Sequence, residues 1–280
     1  MTPTVSVICL CYNHARFIVE ALDSVLAQTY VPVELIIVDD ASSDGSTAVI
    51  QKWLESHPGI LFIQQPVNLG NCRAFNLGLK RATGKYIIDL AGDDRLTPHR
   101  VERGVAVMES RPEVGVQFSD AELIDENGKS LGFHSDRFPH HTIPQGKIFR
   151  DILARYFINS PTMMMRKSLL DALGGYDESL AYEDFDFWVR SSPLTDYAYL
   201  PEPIVQRRVL SSSMGKRQYA RESAQQMSTL TICRKALSLC REEADHAALR
   251  KRINYELRQA LRFGRLKLAW NYLRLRQGIS

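Results

Sequence analysis

The sequence is poor in cysteine, and the cysteines it has are not spaced for a disulfide framework or a zinc site. Five cysteines are scattered over 280 residues without any C-x-x-C pair, so we expect reduced thiols. No apolar run approaches the ~20 residues that cross a bilayer, and no charged and apolar leader marks a signal peptide. With 45% hydrophobic and 24% charged residues, the composition predicts a soluble, cytoplasmic, globular protein.

Two common phosphate-binding motifs are also absent. No G-x-G-x-x-G follows the first predicted strand, and no G-x-x-x-x-G-K-[ST] occurs anywhere in the chain. A nucleotide bound by this protein must therefore have its phosphates held in another way.

Acidic residues become scarce towards the end of the chain. Residues 207–280 contain 17 Lys and Arg but only five Asp and Glu, whereas residues 1–206 contain 18 and 27. This asymmetry is hidden in a net charge of +3. It indicates two regions with different partners.

The first 97 residues alternate between short apolar runs and amphipathic stretches. Predicted strands are Val5–Leu10, Val33–Val38, Leu61–Gln65 and Lys85–Leu90; predicted helices are Arg16–Gln28, Thr47–Ser56 and Cys72–Arg81. This alternation is typical of βαβ units, and so predicts an α/β fold with a parallel, Rossmann-like sheet. In such sheets, ligands bind at the carboxyl ends of the strands.

Polar residues follow three of these four strands: Tyr12-Asn13, Asp39-Asp40 and Asp93-Asp94. Carboxylates at the end of a buried strand are costly to desolvate unless they are paired or bound to a cation. A hard divalent ion that also binds a diphosphate would be a natural partner. The alternative for Asp93-Asp94 is a polar strand end before a helix that begins near Leu96-Thr97-Pro98.

The second half of the sequence has a less regular pattern. Its predicted elements are a helix at Pro98–Ser110, a strand at Val114–Asp120, a turn at Asp125–Lys129, a helix at Phe149–Tyr156, a strand at Thr162–Arg166 and a helix at Leu169–Leu173 that ends at Gly174-Gly175. An irregular loop is predicted at His134–Gly146. Its His140-His141 pair could contact a metal, but a solvated loop is the preferred interpretation.

A second acidic cluster surrounds Glu183-Asp184. If a helix begins here, its free N–H groups and dipole stabilise the two carboxylates, and Phe187 and Trp188 pack inward. Such a carboxylate could act as general base towards a substrate hydroxyl. A purely helix-capping role is the alternative.

The C-terminal region, Gln218 to Gly278, shows helical periodicity without internal proline. Its candidate apolar faces contain Leu230, Ile232, Ala236, Leu237 and Leu239, and then Ile253, Leu257, Leu261 and Leu268. Basic residues lie between them, with Trp270 and Tyr272 interleaved. These helices either lie on an anionic membrane surface or pack on the rest of the protein with their arginines solvated.

Several segments, in order, carry a family resemblance. They are Val5–Ile8 with Tyr12-Asn13; Glu20 with Ser24–Thr29; Glu34–Ser46; Asn68-Leu69-Gly70; Asn76-Leu77-Gly78; Ala82–Ile87; Asp93-Asp94; Gly174–Asp177; and Glu183-Asp184 with Arg190. Together they cover about residues 4 to 210. The chain resembles the family 2 glycosyltransferases, inverting enzymes of GT-A fold that move a sugar from a nucleotide diphosphate to an acceptor hydroxyl.

The resemblance implies a role for individual residues. Those expected to bind the nucleotide are Tyr12, Asn13, Asp40, Asn68 and Asp93. Asp94 would hold Mn²⁺ or Mg²⁺ against the diphosphate, and Asp184 would be the catalytic base. Asn159 and Glu183 would border the acceptor. The expected donor is a UDP- or dTDP-sugar, and the expected acceptor is a glycan or a lipid-linked molecule used in surface polysaccharide or glycoconjugate assembly.

The sequence departs from the family pattern in ways that leave an alternative. Many members have a further carboxylate just before Asp93-Asp94, where this chain has Ala91 and Gly92. A catalytically silent nucleotide-sugar-binding module is therefore the second hypothesis. Without a Q-x-x-R-W stretch, a processive synthase is not expected, and nucleic-acid binding by the basic tail is not expected either. The predicted division is a catalytic domain at 1–212, with a donor part at 1–97 and an acceptor part at 98–212, and a basic helical extension at 213–280.

Overall fold

The computed structural model describes residues 2–138, 142–210 and 224–279. Its strands are β1 Val5–Cys11, β2 Val33–Asp39, β3 Leu61–Gln64, β4 Tyr86–Ala91, β5 Arg95–Leu96, β6 Val114–Ile124, β7 Ser130–Phe133, β8 Met164–Arg166 and β9 Asp196–Arg208. Its helices are α1 Ile18–Leu26, α2 Ser46–Glu55, α3 Asn71–Leu79, α4 Arg100–Ser110, α5 Phe149–Ala154, α6 Lys167–Leu173, α7 Asp184–Ser191, α8 Ala224–Leu239, α9 Glu243–Arg262 and α10 Leu266–Gln277. Two short 3₁₀ turns cover His134–Arg137 and Ser160–Thr162.

The strands form one sheet in the order β3-β2-β1-β4-β8-β6-β9-β5, with β7 paired to β6. The first four strands are parallel, as predicted. Because the chain passes from β1 to β2 on one side and later returns to β4 on the other, the order reverses between β1 and β4. The carboxyl ends of these two strands therefore border a crevice of the kind that binds ligands in open α/β sheets.

The core lies on both faces of this parallel half. Ile8 and Ile36 point to one apolar layer, and Val7 and Ile37 point to the other. All four are fully buried. A strand covered on both faces reads as a continuous apolar run, which is why the sequence predicted β1, β2 and β4 to within two residues.

The other half of the sheet differs from the prediction. The long strand β9 was not predicted, because Pro201 and Pro203 interrupt its pattern and proline weakens any strand assignment. It runs parallel to β6 through shifts of register on both sides of Asp120. The helix predicted from Pro98 begins at Arg100. The residues shortly before it, Arg95 and Leu96, form β5 and pair with β9.

The described C-terminal helices pack on the rest of the protein. Arg150 on α5 binds Asp245 at the start of α9, with 2.7 Å between Nε and Oδ1. Arg252 is buried; its guanidinium lies 3.9 Å from the Tyr156 ring centre, and its Nε donates to the Leu153 carbonyl. This packing is one of the two arrangements expected for the tail, although Arg252 is not solvated as that alternative assumed.

One residue of the predicted apolar faces is misplaced: Leu261 is 52% exposed. Steps of four residues advance 40° beyond a full helical turn, so the line from Ile253 through Leu257 rotates away from the core, and Ala260 is buried in place of Leu261. No described helix is long and apolar enough to cross a membrane. The His140-His141 pair and the predicted boundary at 212/213 lie outside the described residues.

Candidate active site

The loop after β1 presents Tyr12 and Asn13 at the crevice. Asn13 has a positive φ of 60°, as does Ala41 in the loop after β2, a conformation that is uncommon away from glycine. The two loops hold each other, because Asn13 Oδ1 accepts the Ser43 N–H at 2.8 Å and the Asn13 N–H donates to Ser42 Oγ at 2.9 Å. The Tyr12 side chain is left 47% exposed, so a flat aromatic surface is available beside the loop.

Asp40 is buried directly after β2 and orders a neighbouring loop. Its Oδ1 accepts the Leu69 N–H and its Oδ2 accepts the Gly70 N–H, both at 2.8 Å. These two amides immediately precede α3. Asn68, the preceding residue, is exposed. Asp40 therefore fixes the position of Asn68 relative to the crevice through the backbone.

Asp93 and Asp94 follow β4. Just before them, at Gly92, the chain passes very close to β1. The Gly92 N–H donates to the Leu10 carbonyl at 2.8 Å, and a Cβ at Gly92 would lie 3.0 Å from that oxygen and 2.9 Å from Ile18. Only glycine fits this position without a shift of its neighbours. It brings Asp93 Oδ1 to 3.8 Å from His14 Nε2.

Asp94 is the more buried of the pair, at 3% exposure. Burial, and secondly the charge of Asp93, raise the pKa of Asp94 to about 8. Its Oδ1 accepts the Arg208 N–H at 2.8 Å. Positive charge nearby would stabilise the ionised form of this carboxyl group.

Arg208, which sequence reasoning missed, holds this acidic turn in place. Its Nε donates to the Asp93 carbonyl at 2.9 Å, and one terminal nitrogen donates to Glu20 at 2.8 Å. Its guanidinium lies 4.4 Å from the Phe17 ring centre. These partners are distant in sequence, so the proximity of Arg208 to the turn could not be read from the pattern.

The second acidic group lies at the start of α7, where Glu183 and Asp184 are found as predicted. Burial, followed by the charge of Glu183, raises the pKa of Asp184 to about 7. Its Oδ1 accepts the N–H of Phe185 at 2.7 Å. Phe187 and Trp188 are buried beneath it, so the helix presents the carboxylates from a rigid apolar base.

Asp89, on β4, was also missed as a member of this acidic group. Burial, and then the charge of Glu183, raise the pKa of Asp89 well above its ordinary value. The Tyr176 hydroxyl donates to Asp89 at 3.2 Å, and the Tyr176 ring stacks on Phe75 at 4.1 Å. Phe75 thus supports a hydrogen bond in the acidic wall.

Two side chains act electrostatically on the acidic groups after β4 and at the start of α7. The positive charge of Arg207 acts on both Asp94 and Asp184, lowering each pKa. In addition, the side chain of Asn71, next to the loop held by Asp40, lies near Glu183 and lowers the pKa of that carboxyl. These interactions favour a single cleft that contains both acidic groups, although no sequence motif joins them.

Two polar atoms on the acceptor side are buried without a hydrogen-bond partner among the described residues. They are Asn159 Nδ2 and Glu183 Oε2. Unsatisfied buried polar groups are costly, and their presence favours a site that a ligand completes.

No three His, Cys, Asp or Glu side chains within the described part of the chain come together as a metal site. Mg²⁺ is commonly held by one or two carboxylates, with substrate phosphates and water supplying the other ligands. Asp93 and Asp94 fit that arrangement, and the raised pKa of Asp94 is consistent with a place for positive charge.

Comparisons with known proteins agree with this architecture. An uncharacterized glycosyltransferase of Methanocaldococcus jannaschii is 32% identical over 67% of this chain and 64% of its own length. The structure of Staphylococcus aureus TarS 1-349 with UDP-GlcNAc matches with a TM-score of 0.68 at 17% identity, covering 98% of this chain and 90% of that one. The mannosyltransferase PcManGT of Pyrobaculum calidifontis, in complex with GDP-Man and Mn²⁺, matches with a TM-score of 0.66 at 19% identity, covering 94% and 76%.

The structural neighbours confirm the GT-A fold, and a sequence profile decides the family. The profile described as Glycosyl transferase family 2 matches residues 6–174, which include the crevice loops and Asp93-Asp94. The chain spans about 64% of the length of its archaeal relative. It belongs to glycosyl transferase family 2.

Proposed function

We propose that this protein is an inverting glycosyltransferase that moves a sugar from a nucleotide-diphosphate sugar to an acceptor hydroxyl. The observation that carries the proposal is the position of Asp94 in the turn after β4 and of Asp184 at the start of α7, with the charge of Arg207 acting on both carboxyl groups. A transferase of this kind needs a diphosphate-binding group and a base within one cleft.

In the proposed reaction, Asp184 takes the proton of the acceptor hydroxyl while the oxygen attacks the anomeric carbon. Attack occurs opposite the leaving diphosphate, so that a single displacement inverts the configuration. A base works best when its pKa lies near the working pH, and the pKa of Asp184 is raised to about 7. The rigid start of α7 would keep this carboxylate aimed at the acceptor.

The donor occupies the β1–β4 crevice in this proposal. Tyr12 and Asn13 would contact the nucleoside, and Asp40 and Asn68 would line the base pocket. The support is geometric: Asp40 already uses both carboxylate oxygens to order the amides of Leu69 and Gly70, so loss of its charge would disturb the pocket wall. A UDP- or dTDP-sugar is the donor that we propose.

Asp94 would hold Mn²⁺ or Mg²⁺ against the diphosphate, with Asp93 close to the ribose or the donor sugar. When bound, such a cation neutralises charge that builds up on the leaving diphosphate. Arg208 keeps both carboxylates at the mouth of the crevice through its contacts with the Asp93 carbonyl and Asp94. The presence of Mn²⁺ with the neighbour PcManGT supports a divalent ion.

The acceptor would lie between Asn159 and Glu183. Asn159 is 4% exposed, and its Nδ2 lacks a partner among the described residues. An acceptor hydroxyl could satisfy that donor. A glycan or a lipid-linked molecule is the acceptor that we propose, within surface polysaccharide or glycoconjugate assembly at the cytoplasmic side of a membrane.

Release of nucleoside diphosphate from a panel of nucleotide sugars, with and without Mn²⁺, tests the activity. We expect slow metal-dependent hydrolysis of one donor, because water can replace the missing acceptor. Thermal stabilisation by the same panel identifies the ligand, since a ligand that binds only the folded state raises its melting temperature. Asp94→Ala should abolish the metal-dependent turnover.

The second candidate is a silent nucleotide-sugar-binding module, which the absence of a carboxylate at Ala91 favours. Such a module would be stabilised by a nucleotide sugar, yet would release no diphosphate with any donor or metal. Stabilisation without turnover, also in the presence of glycan and lipid-linked acceptors, would reject the transferase.

A further inference from the structure

The turn between α9 and α10 exposes an unusual number of large apolar side chains. We call this group the tip surface; its members and exposed fractions are Leu261 52%, Phe263 45%, Leu266 72% and Trp270 62%. Four such residues within ten positions cannot be explained by packing on the domain, since Leu257 and Leu268 supply the buried contacts there. Clustered exposed apolar residues mark an interaction surface.

The stretch of chain that carries the tip surface has basic residues and no acidic ones. From Leu257 to Ser280 the sequence contains six Lys and Arg and no Asp or Glu. Arg258, Arg262 and Lys267 are exposed beside the apolar side chains. Apolar side chains set among basic ones match the interfacial zone of an anionic bilayer, where the rings and aliphatic groups enter and the cations meet lipid phosphates.

A short series of contacts joins this turn to the acceptor side of the cleft. Arg265 binds Gln226 at the start of α8. On the next turn of α8, Ser228 accepts the Ala181 N–H at 2.9 Å, and the Thr229 hydroxyl lies 2.7 Å from the Tyr182 hydroxyl. Asp184 follows two residues after Tyr182. The tip surface is thus connected to the proposed base through rigid helices.

We propose that the tip surface docks on an anionic phospholipid membrane, and that this docking brings the acceptor side of the cleft to a lipid-linked hydroxyl. The second part rests on the proposed glycosyl transfer, whereas the first does not. A second copy of this chain is a poor occupant, because two faces with the same positive charge would repel. A nucleic acid would leave the apolar side chains without a partner.

Tryptophan fluorescence offers a direct test with the intact chain. Of the three tryptophans, Trp53 and Trp188 are buried and Trp270 is exposed. A blue shift of the emission on adding phosphatidylglycerol vesicles would therefore report entry of Trp270 into the interface. We expect the shift, together with flotation of the protein, with these vesicles and not with phosphatidylcholine alone. Both should weaken as salt screens the charges.

Two variants separate the apolar and charged contributions. Leu266→Ser with Trp270→Ser should weaken flotation at least about tenfold, as should the triple change Arg258→Gln, Arg262→Gln and Lys267→Gln. The matched controls are Leu194→Ser, at an apolar residue that is 62% exposed and lies two residues before β9, and the triple change Lys52→Gln, Lys80→Gln and Arg81→Gln. The controls should float as the unchanged protein does.

Absence of flotation of the unchanged protein at low salt would overturn the proposal. So would equal loss in the control variants, or a tip variant that alters only the oligomeric state, which would indicate a second copy as occupant. Donor hydrolysis measured without vesicles keeps the two proposals apart. Hydrolysis without flotation rejects docking alone, and flotation without any transfer rejects the function alone.

Discussion

The two walls of the proposed cleft, which we name the donor wall and the acceptor wall after their proposed roles, are built by different means. On the donor wall, Asp40 and Asp94 are held by backbone amides supplied from loops and from β9. On the acceptor wall, Glu183 and Asp184 stand on the short helix α7, which is tied to the C-terminal helices by charge. Lys235 on α8 lies 2.6 Å from the fully buried Asp186 and 2.5 Å from Asp177.

This difference ties the tail to the acceptor wall. The contacts that hold Asp40 and Asp94 come from the sheet and its loops. In the acceptor wall, Lys235 of α8 shares the neutralisation of Asp186 with Arg190, which lies 2.6 Å from it. Changes on the donor wall should therefore alter nucleotide affinity, whereas changes on the acceptor wall or in the tail should alter turnover.

The strongest test of the acceptor wall is Asp184→Asn. We expect turnover to fall by about 10²-fold or more, as for loss of a general base, with little change in donor affinity. Steady-state rates and calorimetric titration with the donor measure the two effects. The control is Asp171→Asn, which removes an exposed carboxylate paired with Lys167. A near-normal rate in Asp184→Asn would remove Asp184 from the mechanism.

The corresponding test of the donor wall is Asp40→Ala. The amides of Leu69 and Gly70 would lose their acceptor and the loop would loosen. Nucleotide affinity should fall at least about tenfold, because a charged hydrogen bond contributes about 1.5–3 kcal/mol and about 1.4 kcal/mol already corresponds to a factor of ten. Titration with nucleoside diphosphate gives the affinity, and Glu55→Ala on the exposed end of α2 is the control. Unchanged affinity would contradict the placement of Asp40 beside the donor.

A smaller effect is expected from Lys235→Gln, which tests whether the tail supports the acceptor wall. Asp186 would keep Arg190 but lose one of two cations, so we expect a loss of about 1–3 kcal/mol in the free energy of unfolding. Turnover should fall several-fold, with donor affinity unchanged, because α7 would be less firmly held.

Arg150→Gln is the matched control for Lys235. It also removes a charge contact between the domain and the tail, to Asp245, but on α5 rather than on α7. It should lower stability without the fall in turnover. Equal effects of both variants on turnover would mean that the tail stabilises the whole protein and has no particular relation to the acceptor wall.

The difference between the donor wall and the acceptor wall also explains which of their parts could be predicted from the sequence. Strands β1, β2 and β4 are apolar on both faces, so their ends, and the polar loops after them, are evident from the pattern. The start of α7 was predicted because acidic residues precede an aromatic-rich helix. The assignment of catalytic and binding roles to these residues stays a prediction.

What the sequence could not predict depends on contacts between distant segments. Arg208 lies at the end of a strand obscured by two prolines, and its partners include Glu20 and Asp93. Asp89 reads as one polar residue within an apolar strand, and only the packing of Tyr176 against β4 joins it to the acidic wall. Long-range contacts of this kind leave no local periodicity.

A last prediction concerns stability alone and uses the raised pKa of Asp94. Its carboxyl keeps its proton up to about pH 8 in the folded protein, whereas in the unfolded chain it releases the proton near pH 4. The folded state is therefore progressively destabilised as the pH rises through this window. Asp94→Asn removes the titrating group and keeps an oxygen that can accept the Arg208 N–H.

With divalent ions chelated, the melting temperature of Asp94→Asn should exceed that of the unchanged protein by about 2 °C or more at pH 8, and the difference should shrink towards pH 5. Thermal unfolding across this range measures it. Asp125→Asn is the control: hydrogen bonds from the Lys129 and Asn127 amides lower the pKa of Asp125, so its removal should not stabilise the protein at high pH. A pH-independent difference for Asp94→Asn would show that burial of the Asp94 charge does not destabilise the folded protein.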